Sequence, residues 1–531
     1  MRSYLKKEES RVDLYAVITA VLLLIISFFT EKVFSDNIAS YKGYISSKIV
    51  YFFICYFSAR FLIFFFRGIK NPFKKAWTIN LLCIFIPLFV WLLLSWPGIF
   101  TWDEFWVFEA ATYFNIENWQ SYITSYFYII SMYFFPSAGA IVFIEIIVMS
   151  FAASWIITKL QYQFNIKLIR FFLLFFLAVW PPIIFSTLIT FRSTMLAIFE
   201  LWLIGYIYFA LSEKTVEKSK LFLLAFLTII LSTWRIEGIY HSVIIPLFLF
   251  IKYGINKGMR KRLVYFSVFV ILGTLLVNKG YDLIKRDNYV KMKYELTAFM
   301  NPLSIILTDK SVDISNTNME VIDKVIDVEK TKAEPDFYET PSFWNGAVRE
   351  GFTKKDFNSF KKEYVKLVTL NADIFLSART RTFVASSGFS PHAYYVNDYI
   401  NNFINNKPEN KAAEFFLEKP LNYPLSLKIR QSVIDYLDFS KSKLATLNFT
   451  MIFWNFIPII LLLFIIIFRT KSFKDPLFWM NLICLGRIPI LFLTEPGSYF
   501  MYYYPTYLAG IFVIIIYVLD RTKARKEGLS G

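Results

Sequence analysis

The sequence predicts an all-α polytopic membrane protein with about twelve transmembrane helices and a mainly helical extracytoplasmic domain. Three observations predict it. Of the 531 residues, 56% are hydrophobic and 20% aromatic, and only 18% are charged, against about 25% charged in soluble domains. The segments 21–29, 81–96 and 457–468 belong to long, nearly uncharged runs, and about 20 such residues span a bilayer. The basic residues fall in short clusters between those runs.

In chain order the predicted spans are 12–29, 48–66, 77–96, 138–158, 168–187, 193–211, 220–234, 239–252, 262–278, 448–468, 476–494 and 500–519. The segment 122–135 is apolar and aromatic but short. Charge decides its place. If it does not cross and the N-terminus is inside, the inside loops hold the clusters around Lys6, Lys74, Lys167, Lys218, Lys261 and Lys471 and the tail from Arg521 to Lys526. The short outside loops then hold only Lys32, Lys42, Lys48, Arg192 and Arg235. Positive-inside bias makes 122–135 interfacial or re-entrant and both termini cytoplasmic. The same clustering explains the net charge of +17 through membrane insertion and excludes nucleic acid as the partner.

The chain divides into an N-terminal membrane region (1–279) with an acidic outer loop (97–137), an extracytoplasmic domain (280–446) and a C-terminal membrane region (447–531). Within the domain, Phe357, Phe360, Tyr364 and Leu367 follow helical spacing. Cys55, Cys83 and Cys484 lie inside hydrophobic runs and form no metal or disulfide pattern. The first span follows Lys6, Lys7 and Arg11 without a small-residue cleavage site and reads as an uncleaved helix. The Ile-, Lys-, Asn- and Phe-rich usage suits an AT-rich bacterial genome.

The loop after the third span reads Trp96-Pro97-Gly98-Ile99-Phe100-Thr101-Trp102-Asp103-Glu104-Phe105-Trp106. Pro-Gly ends the span in a turn. Thr101-x-x-Glu104 is a capping box, and Phe100 with Phe105 suits a hydrophobic staple, so a helix starts here. Trp102, Phe105, Trp106 and Tyr113 share one face, as in a helix lying at the membrane interface. Glu104 closes the cap. Asp103 projects off the stripe and is the candidate catalytic carboxylate. It can take a proton from a hydroxyl or hold a divalent cation, Mg²⁺ or Mn²⁺, although a first-turn aspartate also compensates the helix dipole. Glu109 is the weaker second acid.

Glu145, Glu200 and Arg487 lie inside spans at similar depth. They are candidates for a buried ion pair or triad, or for a site where Arg487 reaches a lipid phosphate. Arg192 and Arg235 stand at outer helix ends, suited to a phosphate or to snorkelling, with Glu237 pairing locally with Arg235. Tyr499 and Tyr502 to Tyr504 read as an aromatic belt or a surface for a sugar or prenyl chain. His392, in Ser390-Pro391-His392, is a candidate base or substrate contact, or a solvated loop residue.

Pro97-Gly98-x-x-Thr101-x-Asp103 resembles the PG-x-x-[ST]-x-D element in the first large outer loop of bacterial membrane proteins that are similar to GT-C glycosyltransferases. Arg235-x-Glu237-Gly238 and Glu495-Pro496-Gly497 followed by Tyr502-Tyr503-Tyr504-Pro505 are also similar. The resemblance covers the membrane region and nothing in 280–446. It implies a GT-C-like fold, a polyprenyl-phosphate-linked sugar as donor and a glycan, lipid or protein as acceptor. It also implies an inverting reaction in which Asp103 is the base, while basic groups, and in some members a metal, stabilise the leaving phosphate. Two features depart from the pattern: Glu104 replaces a small polar residue, and the loop follows the third span, as two added N-terminal helices would explain. A polysaccharide polymerase or ligase would rely instead on Arg379, Arg381 and His392. A lipid-linked sugar transporter or flippase would show related halves, which the sequence lacks.

Overall fold

Apolar runs of this length leave the backbone no water to bond with, so they satisfy themselves as helices. The computed structural model describes residues 2–116, 120–211, 216–284, 288–389, 399–406, 411–444, 447–470 and 472–527. Among the described residues, nine helices are long and apolar enough to cross a membrane: Ser10–Phe34, Tyr41–Arg67, Pro72–Leu94, Gly139–Phe164, Arg192–Ala210, Ile236–Tyr253, Lys257–Gly280, Phe449–Arg469 and Pro476–Thr494. A further span forms if Lys167–Val179 and Pro181–Leu188, bent by 51°, count as one. The bend falls at Pro181 and Pro182, which open the second helix and cannot continue the hydrogen-bond ladder of the first. Lys218–Trp234 and Tyr504–Lys526 are helices at the remaining expected positions.

Arg192–Ala210 is the central helix. Of its most apolar stretch 78% is buried, against 22% in each of the first three helices. Those outer helices leave Phe29, Phe57 and Phe64 exposed, the apolar surface expected to face lipid. The segment read as interfacial or re-entrant forms the helix Tyr122–Phe134. Its 13 residues reach only about 20 Å, short of a bilayer core of about 30 Å. It does not lie on the surface: Ser125, Ile129, Met132 and Tyr133 are buried, and Thr30 Oγ1 donates to Tyr133 O at 3.0 Å.

The polar region is helical, as expected, but its packing is divided. Leu296, Met300, Leu303, Ile306, Phe357, Phe360, Leu367 and Phe375 form a core of their own. The four residues with helical spacing are the buried face of Lys354–Leu370. Ile400, Ala412, Phe416, Val433 and Leu437 instead join the core of the membrane helices. The second part of this region is therefore fastened onto the bundle rather than standing beside it.

Candidate functional site

The loop after the third span is held from several sides. Gly98 adopts φ +114, and a Cβ there would meet Val142 Cγ2 at 2.7 Å and Leu188 O at 2.8 Å. Only glycine tolerates both demands. Ile99 N donates to Leu188 O at 2.8 Å, and Ile99 pairs with Ile189 as an isolated parallel bridge. The buried Arg430, on the helix Leu427–Phe439, donates to the carbonyls of Ser95, of Trp96 (3.2 Å) and of Gly98 (2.9 Å). Trp96 Nε1 donates to Leu421 O at 2.9 Å. The polar region thus grips the turn through both a guanidinium and a carbonyl.

The helix Trp102–Thr112 then begins with the capping box. Glu104 Oε2 accepts from Thr101 N at 3.2 Å and from Thr101 Oγ1. The staple is present too: the Phe100 and Phe105 rings lie 6.3 Å apart, and Phe416 packs on both, at 4.8 and 5.0 Å. The expected interfacial stripe is split. Phe105 is buried in this aromatic cluster, whereas Trp102 and Trp106 are exposed and line a cavity.

That cavity, about 690 Å³, lies between the membrane helices and the polar domain. Asp103 lines it with Trp102, Trp106 and Phe191 on one side, and Tyr294, Glu339 and Trp344 on the other. Tyr499 and Tyr502 complete the wall. Burial pushes the Asp103 carboxyl above its usual range, and the charges of Arg192 and Arg235 pull it back. Glu104, more deeply buried, is pushed up to about 7 by burial and by the Asp103 charge. Glu109, six residues and about 9 Å further along the helix, does not line the cavity. It neighbours Tyr113, together with Asp36 and Glu418. The cavity therefore does not bring the weaker second acid, Glu109, beside Asp103.

Arg192 opens its helix, and its carbonyl accepts from Trp234 Nε1 at 2.8 Å. This bond ties it to the turn that carries Arg235. Arg235 pairs with Glu237 and lies over the Tyr502 ring at 5.3 Å. Tyr294 sits among Asp103, Arg192 and Arg235, and burial pushes its hydroxyl up to about 12. Glu237 is shared: Arg487 Nη2 reaches it at 3.1 Å. Arg487 is 1% exposed, so it stands behind Glu237 and not at the cavity wall. The expected triad is also redrawn. Glu200 neighbours Arg487 and Cys484, but Glu145 faces Glu104 and Tyr128.

The tyrosines are not a surface belt. Tyr503 and Tyr504 are buried, and Tyr503 donates to Glu495 Oε2 at 2.8 Å. Arg379 is wholly buried and donates to Phe492 O at 2.7 Å, Glu495 O at 2.6 Å and Asn301 Oδ1 at 3.2 Å. It is a structural anchor. Arg381 lies over the Phe337 ring at 4.4 Å. His392 lies outside the described residues. Tyr294, Glu339 and Trp344 were not found from sequence because no motif marks them. The only local signal is the turn chemistry of Pro335-Asp336, whose aspartate accepts from the N–H groups of Tyr338 and Glu339 at 2.6 and 3.1 Å.

No protein-family model, curated protein or solved structure matches this chain.

Proposed function

We propose that this protein is a multi-pass plasma-membrane glycosyltransferase of GT-C type. It moves a sugar from a polyprenyl-phosphate-linked donor to a hydroxyl of a glycan, lipid or protein acceptor at the outer face. The observation that carries this reading is Asp103 on the wall of a cavity of about 690 Å³, with Arg192 and Arg235 as its charged neighbours. Pockets of about 300–1,000 Å³ suit small ligands, and aromatic walls suit the apolar face of a sugar ring. In this reading the chain crosses about twelve times, with both termini cytoplasmic and the polar domain outside, in keeping with the basic clusters.

The step balances as follows. The acceptor hydroxyl gives its proton to the Asp103 carboxylate while its oxygen bonds to the anomeric carbon. The bond from that carbon to the phosphate oxygen breaks, and the lipid phosphate leaves with the electron pair. Attack from the opposite face inverts the anomeric configuration. Arg192 and Arg235 oppose the charge gathering on the phosphate. Asp103 is the ligand the sequence offers to Mg²⁺ or Mn²⁺. Among the described residues, however, only one further carboxylate, Glu339, lines the cavity, and two guanidinium charges act on Asp103. This donor set fits a hard divalent cation poorly, so no step is routed through one.

The test is transfer of labelled sugar by purified protein. Asp103→Asn is expected to lower the rate by about 10²- to 10⁴-fold, the usual worth of a positioned base, with assembly intact. Full activity in that variant contradicts the reading.

A further inference from the structure

The cavity has a second wall that the base and the phosphate-binding groups do not use. It is built by residues 336–344 of the polar domain, and its main chain is unusually well tied. Asn301 Nδ2 donates to Asp336 O at 2.7 Å and to Glu339 O at 3.1 Å. Thr382 Oγ1 donates to Phe337 O at 2.7 Å, and Ser498 N donates to Tyr338 O at 2.7 Å. Four consecutive carbonyls are therefore engaged. The last of these bonds comes from the loop Glu495-Pro496-Gly497-Ser498, so the wall is fixed to the membrane region as well as to its own domain. Gly497 permits that approach: a Cβ there would lie 2.8 Å from Tyr338 O.

This scaffold presents a carboxylate that does no structural work. Among the described residues, the Glu339 side chain makes no hydrogen bond or ion pair, yet it is half-buried and lines the cavity. Burial, and then the Asp336 charge, push its carboxyl up. Removing a carboxylate from water without a partner costs free energy, and such groups concentrate at functional sites. Beside it, Thr340 offers a hydroxyl and Phe343 and Trp344 offer aromatic faces; the Trp344 side chain is 65% exposed. A carboxylate accepts hydroxyl protons, and an aromatic face covers the apolar face of a ring. Lys293 on the same wall is paired with Glu350 at 2.7 Å, and the charges of Arg192 and Arg235 act on Asp103, so a cationic ligand finds little uncompensated negative charge.

We infer that Glu339 and Trp344 form the acceptor subsite of the cavity and hold a neutral saccharide, whose hydroxyls donate to Glu339 and whose apolar face stacks on Trp344. This rests on the glycosyltransferase reading above and supplies its acceptor class.

The experiment uses the full chain in lipid nanodiscs. Intrinsic tryptophan fluorescence, to which Trp102, Trp106 and Trp344 on the cavity wall contribute, is followed while lactose, maltose, cellobiose or N,N′-diacetylchitobiose is added, with choline as a cationic control. The wild type is expected to show a saturable change with at least one disaccharide and none with choline. Glu339→Gln weakens that binding about tenfold, the worth of a charge-assisted hydrogen bond, and Glu339→Asp, which shortens the reach, also weakens it. Trp344→Ala weakens it independently. In the transfer assay, Glu339→Gln raises the acceptor KM about tenfold and leaves the lipid-donor KM unchanged. Saccharide binding that depends on Glu339 without any transfer supports the subsite and removes the glycosyltransferase reading. Saturation by choline, no saturable binding of any of the disaccharides, or transfer with an unchanged acceptor KM in Glu339→Gln overturns the subsite.

Discussion

Asp103 and Glu104 are adjacent acids with different work. Glu104 is spent on the helix start, where its carboxylate bonds the Thr101 backbone and hydroxyl. Asp103 faces the cavity, and burial holds its carboxyl above the ordinary carboxylate range. A base must be ionised, so kcat/KM for transfer should rise with pH as Asp103 loses its proton. The midpoint should lie above the usual aspartate value of about 4, and the acid limb should vanish in Asp103→Asn. A measured midpoint at or below that value contradicts the assignment. Glu104 gives a separate stability prediction. Glu104→Ala should cost about 1 kcal/mol, the worth of a cap, in thermal unfolding in detergent, while Glu104→Gln, which keeps an acceptor, should cost less. The folded pKa of Glu104, about 7, exceeds its ordinary value of 4.5. The folded state therefore binds the proton more tightly. That contribution to stability is complete below about pH 4.5 and is lost as pH rises through about 7.

At the scale of elements, the loop bearing Asp103 is positioned mainly by a distant helix. Arg430 holds the carbonyls of Ser95, Trp96 and Gly98, and Arg379 does the same for Phe492 and Glu495. Both come from the polar region and grip loops of the membrane region. Arg430→Met should destabilise the protein by about 3 kcal/mol or more, since buried carbonyls lose their donor, and should lower transfer by misplacing Asp103. Thermal unfolding and the transfer rate measure the two effects. These elements also show what the sequence made legible. Apolar runs, the capping box and the Phe357 to Leu367 face were readable because each depends on spacing within one segment. In the sequence Arg379 stands out only for the polymerase alternative and Arg430 not at all, because the backbone carbonyls they hold lie more than a hundred residues away. The sequence leaves Arg487 open between a buried ion pair and a lipid phosphate, because the turn that brings Glu237 onto it is invisible in one dimension. Glu339 escaped notice for the same reason: its importance comes from the cavity, not from its neighbours in the chain.

At the scale of the whole molecule, the cavity lies where the membrane helices meet the polar domain. The helix Arg192–Ala210 runs through the centre of the bundle and ends there in Arg192. The domain closes the other side with Tyr294, Glu339 and Trp344. On the proposed function, a lipid-borne donor would approach along the helices and a water-soluble acceptor from the domain side. The most direct measurement is a structure of the protein in nanodiscs with polyprenyl phosphate bound. The account predicts the phosphate in the Asp103 cavity, at the bilayer face that carries the polar domain and within hydrogen-bond reach of Arg192 or Arg235, with Arg487 still paired to Glu237. A phosphate bound at the opposite face, or away from Asp103, contradicts it.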